Sequence, residues 1–185
     1  MKVILFDFFG VLSTPVYKKV IDTYIPEEER AEWMQKLDIL DAGELSEEDL
    51  SQQLAERSRV SVDEIRKAVD AAPVRNGELF QYIENELKGK YVVGLLTNIP
   101  RSLFERIAAD KAYLFNPLLI SSDLKLIKPS KEIFQEAIRR CGVPAEDILF
   151  IDDGEKNIEA AKAAGLSGFV YRDFSSFLEE IRPYV

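Results

Sequence analysis

With 185 residues, 46% of them hydrophobic and 31% charged, the chain can bury one sizeable core, or a core carrying a small insert. Its formal net charge of −9 repels phosphate backbones and anionic lipid, so neither nucleic acid nor a membrane is an expected partner. With no histidine and only Cys141 as a thiol, Ser-His and Cys-His hydrolases, histidine-ligated zinc, an internal disulfide and a thiolate cluster are all excluded. Acid–base chemistry must come from Asp, Glu, Lys or Tyr. No apolar run approaches spanning length and residues 1–6 are too short for a signal peptide, so a cytoplasmic location is the expectation.

The first apolar run, Val3 to Phe6, reads as a buried strand that delivers Asp7 to a loop mouth, with Gly10 close behind. From Pro15 to about Ala72 the texture is charged and helical. Pro15–Ile25 predicts one helix, and Pro26 with Glu27, Glu28 and Glu29 predicts the acidic first turn of another. Trp33, Met34, Leu37 and Leu40 recur at helical spacing as a packed seam, ended by Asp41-Ala42-Gly43. Ser46 and Ser61 open two further helices, the latter as a capping box with Glu64.

Beyond Asn76 strands and helices alternate. A helix over Gly77–Leu87 leads to a strand over Tyr91–Thr97, then a helix over Pro100–Asp110 and a strand over Leu118–Ser121. Lys128-Pro129 opens a helix to Arg140, stopped by Gly142. Ile148–Ile151 is a strand ending in Asp152-Asp153, followed by a helix over Asn157–Ala164, a strand over Phe169–Tyr171 and a helix from about Ser175. This alternation predicts an α/β fold with a doubly wound parallel sheet. The expected domains are an α/β core of residues 1–14 and 74–185 and an all-helical insert of residues 15–73.

In a parallel sheet the carboxyl ends of the strands face one side. Asp7, the pair Thr97-Asn98, the pair Asp152-Asp153 and Lys128 then gather in one constellation. Even at an effective dielectric of 20, two charges 4 Å apart interact by about 4 kcal/mol, so crowded carboxylates need protons or a hard cation. Oxygen-rich sites with few protein ligands suit Mg2+.

Phe6-Asp7-Phe8-Phe9-Gly10-Val11-Leu12, Leu95-Leu96-Thr97-Asn98, Lys128-Pro129 with Ile133-Phe134, and Phe150-Ile151-Asp152-Asp153 with Asn157 to Ala161 follow one another in order. Together they resemble the motifs of the haloacid dehalogenase-like (HAD) hydrolase superfamily, over the whole chain. The segment Gly43 to Leu50 is similar to a small helical cap of the branch containing sugar-1-phosphate phosphatases. The resemblance implies a Rossmann-like core with Asp7 as nucleophile, forming an aspartyl intermediate. It implies Thr97 and Asn98 as ligands of the transferring phosphoryl group and Lys128 as the cation pairing with both nucleophile and substrate. Mg2+ would be held by Asp7, Asp153, the main-chain carbonyl of Phe9 and, in an assisting role, Asp152.

The family's phosphatases usually carry a second Asp two residues after the nucleophile, and here that residue is Phe9. Such an acid protonates the leaving oxygen and then activates water, a contribution of roughly 100- to 10,000-fold. The expectation is an Mg2+-dependent hydrolase of small phosphorylated metabolites, weakened by Phe9. The alternatives are a 2-haloacid dehalogenase and a weakly active or non-catalytic HAD-fold binding protein. Asp152 and Asp153 argue against the dehalogenase, because without a cation they would repel a carboxylate substrate. Asp41 and Glu44 are candidate substitutes for the missing acid, and as helix-end residues they also have a plain structural reading. Oligomeric state is not legible.

Overall fold

The computed structural model describes residues 2–185; Met1, the first residue of the expected core segment, lies outside them. Among the described residues one sheet forms from β1 (Val3–Phe6), β2 (Val92–Thr97), β3 (Leu118–Ile120), β4 (Ile148–Asp152) and β5 (Ser167–Val170). Its order is β3-β2-β1-β4-β5 and every pairing is parallel, with Phe6 level with Leu95 on one side and Ile151 on the other. The order reverses direction between β1 and β4, which is where open α/β sheets leave a crevice for ligands.

Side chains alternate across the sheet because successive Cβ atoms point to opposite faces. Ile4, Phe6, Leu95 and Ile151 face one apolar cluster, and Leu5, Leu96, Ile148 and Phe150 face the other. Both faces are covered, so β1 is buried at all four positions and reads as a continuous apolar run.

The insert after β1 consists of α1 (Val16–Tyr24), α2 (Arg30–Asp41), α3 (Glu47–Ser58) and α4 (Val62–Ala71). Two of its starts are set by hydroxyl caps: Ser46 Oγ accepts from Asp49 N–H at 3.0 Å and Ser61 Oγ from Glu64 N–H at 3.1 Å. In the α2 seam Trp33, Leu37 and Leu40 are buried, whereas Met34 is left exposed. The two passages of chain into and out of the insert are stitched together at Thr14. Its hydroxyl donates to Ala72 O and accepts from Val74 N–H, both at 2.9 Å. Farther out, Arg106 pairs with Glu47 of α3 at 2.7 Å and with Asp70 of α4 at 2.9 Å.

The remaining helices are α5 (Gly77–Tyr82), α6 (Arg101–Ala108), α7 (Ser121–Leu124), α8 (Lys131–Cys141), α9 (Glu155–Ala163) and α10 (Phe174–Ile181). Helices α8 and α9 cover one face of the sheet through Ile133, Phe134, Ile158 and Ala161. Helices α5, α6 and α10 cover the other, with the insert continuous with that cluster.

Several boundaries differ from those the sequence suggests. α5 continues as a wider π turn over Ile83–Leu87. α8 begins at Lys131, because Lys128 and Pro129 belong to the loop before it. β5 starts at Ser167 rather than Phe169, two poor strand formers masking its start. Gly168 is there because a Cβ would stand 2.8 Å from Phe150 O. The stretch after β3 is not extended to Ser121 but turns at once into α7. No helix among the described residues is long and apolar enough to cross a membrane.

Candidate active site

Asp7 follows β1 directly, and its N–H donates to Ile151 O at 2.8 Å, so sheet pairing carries it one residue past the strand. Its Oδ1 accepts from Phe8 N–H at 2.7 Å and lies 2.7 Å from Lys128 Nζ. The same ammonium reaches Asp152 Oδ2 at 2.6 Å. Asp152 is fully buried at the end of β4, and its other oxygen accepts from Gly154 N–H and Asn157 Nδ2, each at 2.8 Å. A lysine and two carboxylates thus sit at the switch point almost out of contact with water.

Burial works against the Lys128 charge, but Asp152 and Asp7 outweigh it and hold the ammonium above its ordinary range. Burial pushes the Asp7 carboxyl up to about 7, Lys128 pulling it down and Asp152 pushing it further up. Asp153 is raised too, by burial and then by Asp152. Burial is the larger cause for both carboxyls, and the excess of negative charge around a single ammonium adds to it. Asp7, Asp152 and Asp153 each place a carboxylate oxygen within 4.8 Å of the others, a cluster that can hold a metal ion. A divalent cation fits this donor set because it would offset the excess charge that burial penalises.

The loop after Asp7 is shaped for this cluster. Gly10 has φ +82° and accepts no Cβ, since one would lie 2.1 Å from Asp153 Oδ2. Gly10 N–H donates to Ser13 O at 2.8 Å and Ser13 N–H to Phe8 O at 2.9 Å, closing a tight turn that brings Phe9 to the mouth.

Asp7, Phe9, Asn98, Lys128 and Asp153 all line one cavity of about 230 Å3. The insert supplies the opposite wall, with Val16, Met34, Leu37, Asp38, Leu40 and Asp41. Asp152 and Thr97 are fully buried and do not line it. The Thr97 hydroxyl has no hydrogen-bond partner among the described residues. Asn98, in contrast, is engaged at both ends of its amide. Its Oδ1 accepts from Lys128 N–H at 2.9 Å and its Nδ2 donates to Lys128 O at 3.0 Å.

A family model for haloacid dehalogenase-like hydrolases matches residues 1–165. The chain belongs to that family. The sesquiterpene phosphatase astK of Aspergillus oryzae is 26% identical over 196 residues, covering 100% of this chain and 96% of its own. The drimenol cyclase drtB of Aspergillus calidoustus is 22% identical over 176 residues, 91% of this chain, which spans only 32% of the cyclase. Among solved structures, the HAD family enzyme bt-2542 of Bacteroides thetaiotaomicron, in complex with magnesium and inorganic phosphate, superposes with a TM-score of 0.71 at 22% identity. That match covers 96% of this chain and 98% of the other. A dehalogenase superposes with the same TM-score, 0.71, at 16% identity over 100% of this chain and 97% of its own. At such identities these structures share the fold of the HAD hydrolase described here.

Two contributions escaped the sequence reading. Asn157, part of the last motif, holds Asp152 through its amide; the five-residue spacing across a strand-to-helix turn was the available signal. α7 carried no periodicity in four residues, yet Ser121 Oγ accepts from Ile99 N–H at 2.9 Å and donates to Asp41 O at 2.5 Å, tying the core to the insert.

Proposed function

We propose that this HAD hydrolase is an Mg2+-dependent phosphoric monoester hydrolase with Asp7 as its nucleophile. The observation that carries the reading is the cluster of Asp7, Asp152 and Asp153 around the buried Lys128. A carboxylate attacking a phosphate dianion meets repulsion that fixed positive charge must remove. Asp7 attacks phosphorus, the bond to the alcohol oxygen breaks, and an aspartyl phosphate forms; water then releases inorganic phosphate and regenerates the carboxylate. Lys128, fixed by Asp152 through its head and by Asn98 through its backbone, pairs with Asp7 and with the phosphoryl oxygens. The Thr97 hydroxyl, unpartnered at the end of β2 but outside the cavity lining, would have to be uncovered to donate to a phosphoryl oxygen. Asp7 and Asp153, assisted by Asp152 and the Phe9 carbonyl, would hold Mg2+, which supplies charge neutralisation and orientation of the transferring group.

Residues 15–73 act in this reading as a cap over the core of residues 1–14 and 74–185. The substrate is a small phosphate monoester, and the wall built by Phe9, Val16, Met34, Leu37, Leu40 and Leu103 suits an apolar alcohol portion. The end-to-end likeness to a protein named a sesquiterpene phosphatase supports the same choice.

The test is a panel of alkyl, terpenyl and sugar phosphates beside 2-haloacids, with and without Mg2+, with Asp7→Asn as control. Mg2+- and Asp7-dependent phosphate release, fastest on apolar esters, is the expected result. Halide release without Mg2+ would replace the reading with a dehalogenase, and ligand binding without turnover would replace it with a binding module.

A further inference from the structure

We propose that Asp41, at the end of α2, is the group that protonates the leaving alcohol oxygen and then takes a proton from the attacking water. The inference rests on the phosphatase reading above and adds to it the acid–base residue that the Asp7 side of the cavity lacks.

An alcohol leaving as alkoxide needs a proton, and few groups lining the cavity can give one. Phe9 has none. Lys128 is committed to Asp7 and Asp152, the Tyr17 hydroxyl to Glu47 at 3.1 Å, and Lys18 to Asp22 at 2.6 Å. Asp153, on the core side, is taken by the Mg2+ site of that reading, which leaves Asp38 and Asp41, facing the site from the insert. Of the two, Asp41 is the more enclosed and lies close enough for its charge to be felt by both Asp7 and Lys128. Its carboxyl has no ion-pair or hydrogen-bond partner among the described residues.

The backbone of Asp41 is fixed in the frame of the catalytic lysine. Ser121 Oγ donates to Asp41 O at 2.5 Å and accepts from Ile99 N–H at 2.9 Å. The residue before Ile99 is Asn98, whose amide clips the backbone of Lys128. Two residues beyond Asp41, Lys125 Nζ donates to Gly43 O at 2.8 Å. Gly43, at φ +70°, admits that approach because a Cβ would stand 2.6 Å from the ammonium. This clasp holds the end of α2 over the site from the core side.

A purely structural reading of Asp41 fits poorly. The C-terminal turn of a helix favours cations, so an acid there is placed against the dipole. Burial, then Asp38 and Asp7, push the Asp41 carboxyl up to about 8, with Lys128 pulling the other way. That direction favours the protonated carboxyl that a general acid needs. In the first step Asp7 bonds to phosphorus while the bond to the alcohol oxygen breaks, and the Asp41 proton passes to that oxygen. In the second step the Asp41 carboxylate removes a proton from water, whose oxygen bonds to phosphorus as the bond to Asp7 breaks. Phosphate leaves, and both carboxyl groups return to their starting states.

The experiment compares first-turnover and steady-state rates on n-hexyl phosphate, whose alkoxide leaves poorly, and on p-nitrophenyl phosphate, whose phenolate leaves well, in Mg2+. In Asp41→Asn, kcat on n-hexyl phosphate should fall on the order of 100-fold or more with KM little changed. The first turnover on p-nitrophenyl phosphate should fall far less, followed by a slow steady state, while Glu44→Gln, exposed and away from the cavity, should match the wild type. Phe9→Asp should add little to the wild type yet restore much of the loss in Asp41→Asn. Asp41→Ser is read the same way should Asn not fold. An unchanged rate, an equal first-turnover loss on both esters, or an equal Phe9→Asp gain in both backgrounds would overturn the role of Asp41 while Asp7-dependent turnover stands. Absence of Asp7-dependent turnover in the wild type would instead remove the phosphatase reading, and the role of Asp41 with it.

Discussion

Asn98 grips the backbone of Lys128 from both ends, taking its N–H at 2.9 Å and feeding its carbonyl at 3.0 Å. The residue expected from sequence to bind substrate therefore spends its amide on placing the lysine, and any substrate contact must come from what is left over. Asn98→Ala removes two neutral hydrogen bonds worth about 0.5–1.5 kcal/mol each. It should lower kcat by about 10-fold or more, with a smaller change in KM; an effect confined to KM would point to substrate binding instead. Steady-state kinetics on the preferred ester decides between them.

Among the described residues Lys128 is the only cation that Asp7 and Asp152 are paired with, at 2.7 and 2.6 Å. Lys128→Met should cost about 3–5 kcal/mol of stability, because it strands buried carboxylates. Chemical denaturation without metal reads the loss, and saturating Mg2+ should recover part of it, while activity stays absent.

Gly10 leaves the space that the Asp153 carboxylate occupies. In Gly10→Ala the new Cβ, 2.1 Å from Asp153 Oδ2 in an unmoved chain, must push that carboxylate or the loop away, at an unfavourable φ of +82°. The Mg2+ concentration for half-maximal activity should rise at least 10-fold, whereas Gly142→Ala, with open space around it, should leave Mg2+ dependence alone despite some cost in stability.

The Asp41 carboxyl, raised from 3.8 to about 8 in the folded chain, also leaves a mark on stability. Between those values the unfolded chain has lost the proton that the folded chain keeps, so stability falls as pH rises from about 4 to 8. The groups facing Asp41 are Asp38 on its own helix and Asp7 and Lys128 from the core. Asp7 contributes a slope of the same sign, its carboxyl being raised to about 7. Asp41→Asn should flatten this slope in metal-free buffer, gaining up to a few kcal/mol over the wild type at pH 8 and little at pH 4. Melting temperatures across that range provide the check.

The parts of the site that lie on strand ends were legible in the sequence, because an apolar run that stops at Asp7, Thr97 or Asp152 announces both the strand and the side it opens on. The start of β5 was not, since Ser167 and Gly168 carry no strand signal and are held there by pairing with Leu149 and Phe150 of β4. Neither was the duty of Asn98 or the placement of Asp41. Both depend on contacts between residues far apart in the chain, Asn98 with Lys128 and Asp41 with Ser121, which no local pattern encodes.

Covalent phosphorylation of Asp7 is the step on which the proposed hydrolase stands or falls. Borohydride reduction of an acid-quenched reaction, followed by peptide mass analysis, converts an aspartyl phosphate to homoserine and reports its position. Mg2+-dependent conversion at Asp7 during turnover of an apolar phosphate ester is the expected result. Steady phosphate release with Asp7 unconverted, or persisting in Asp7→Asn, would contradict it.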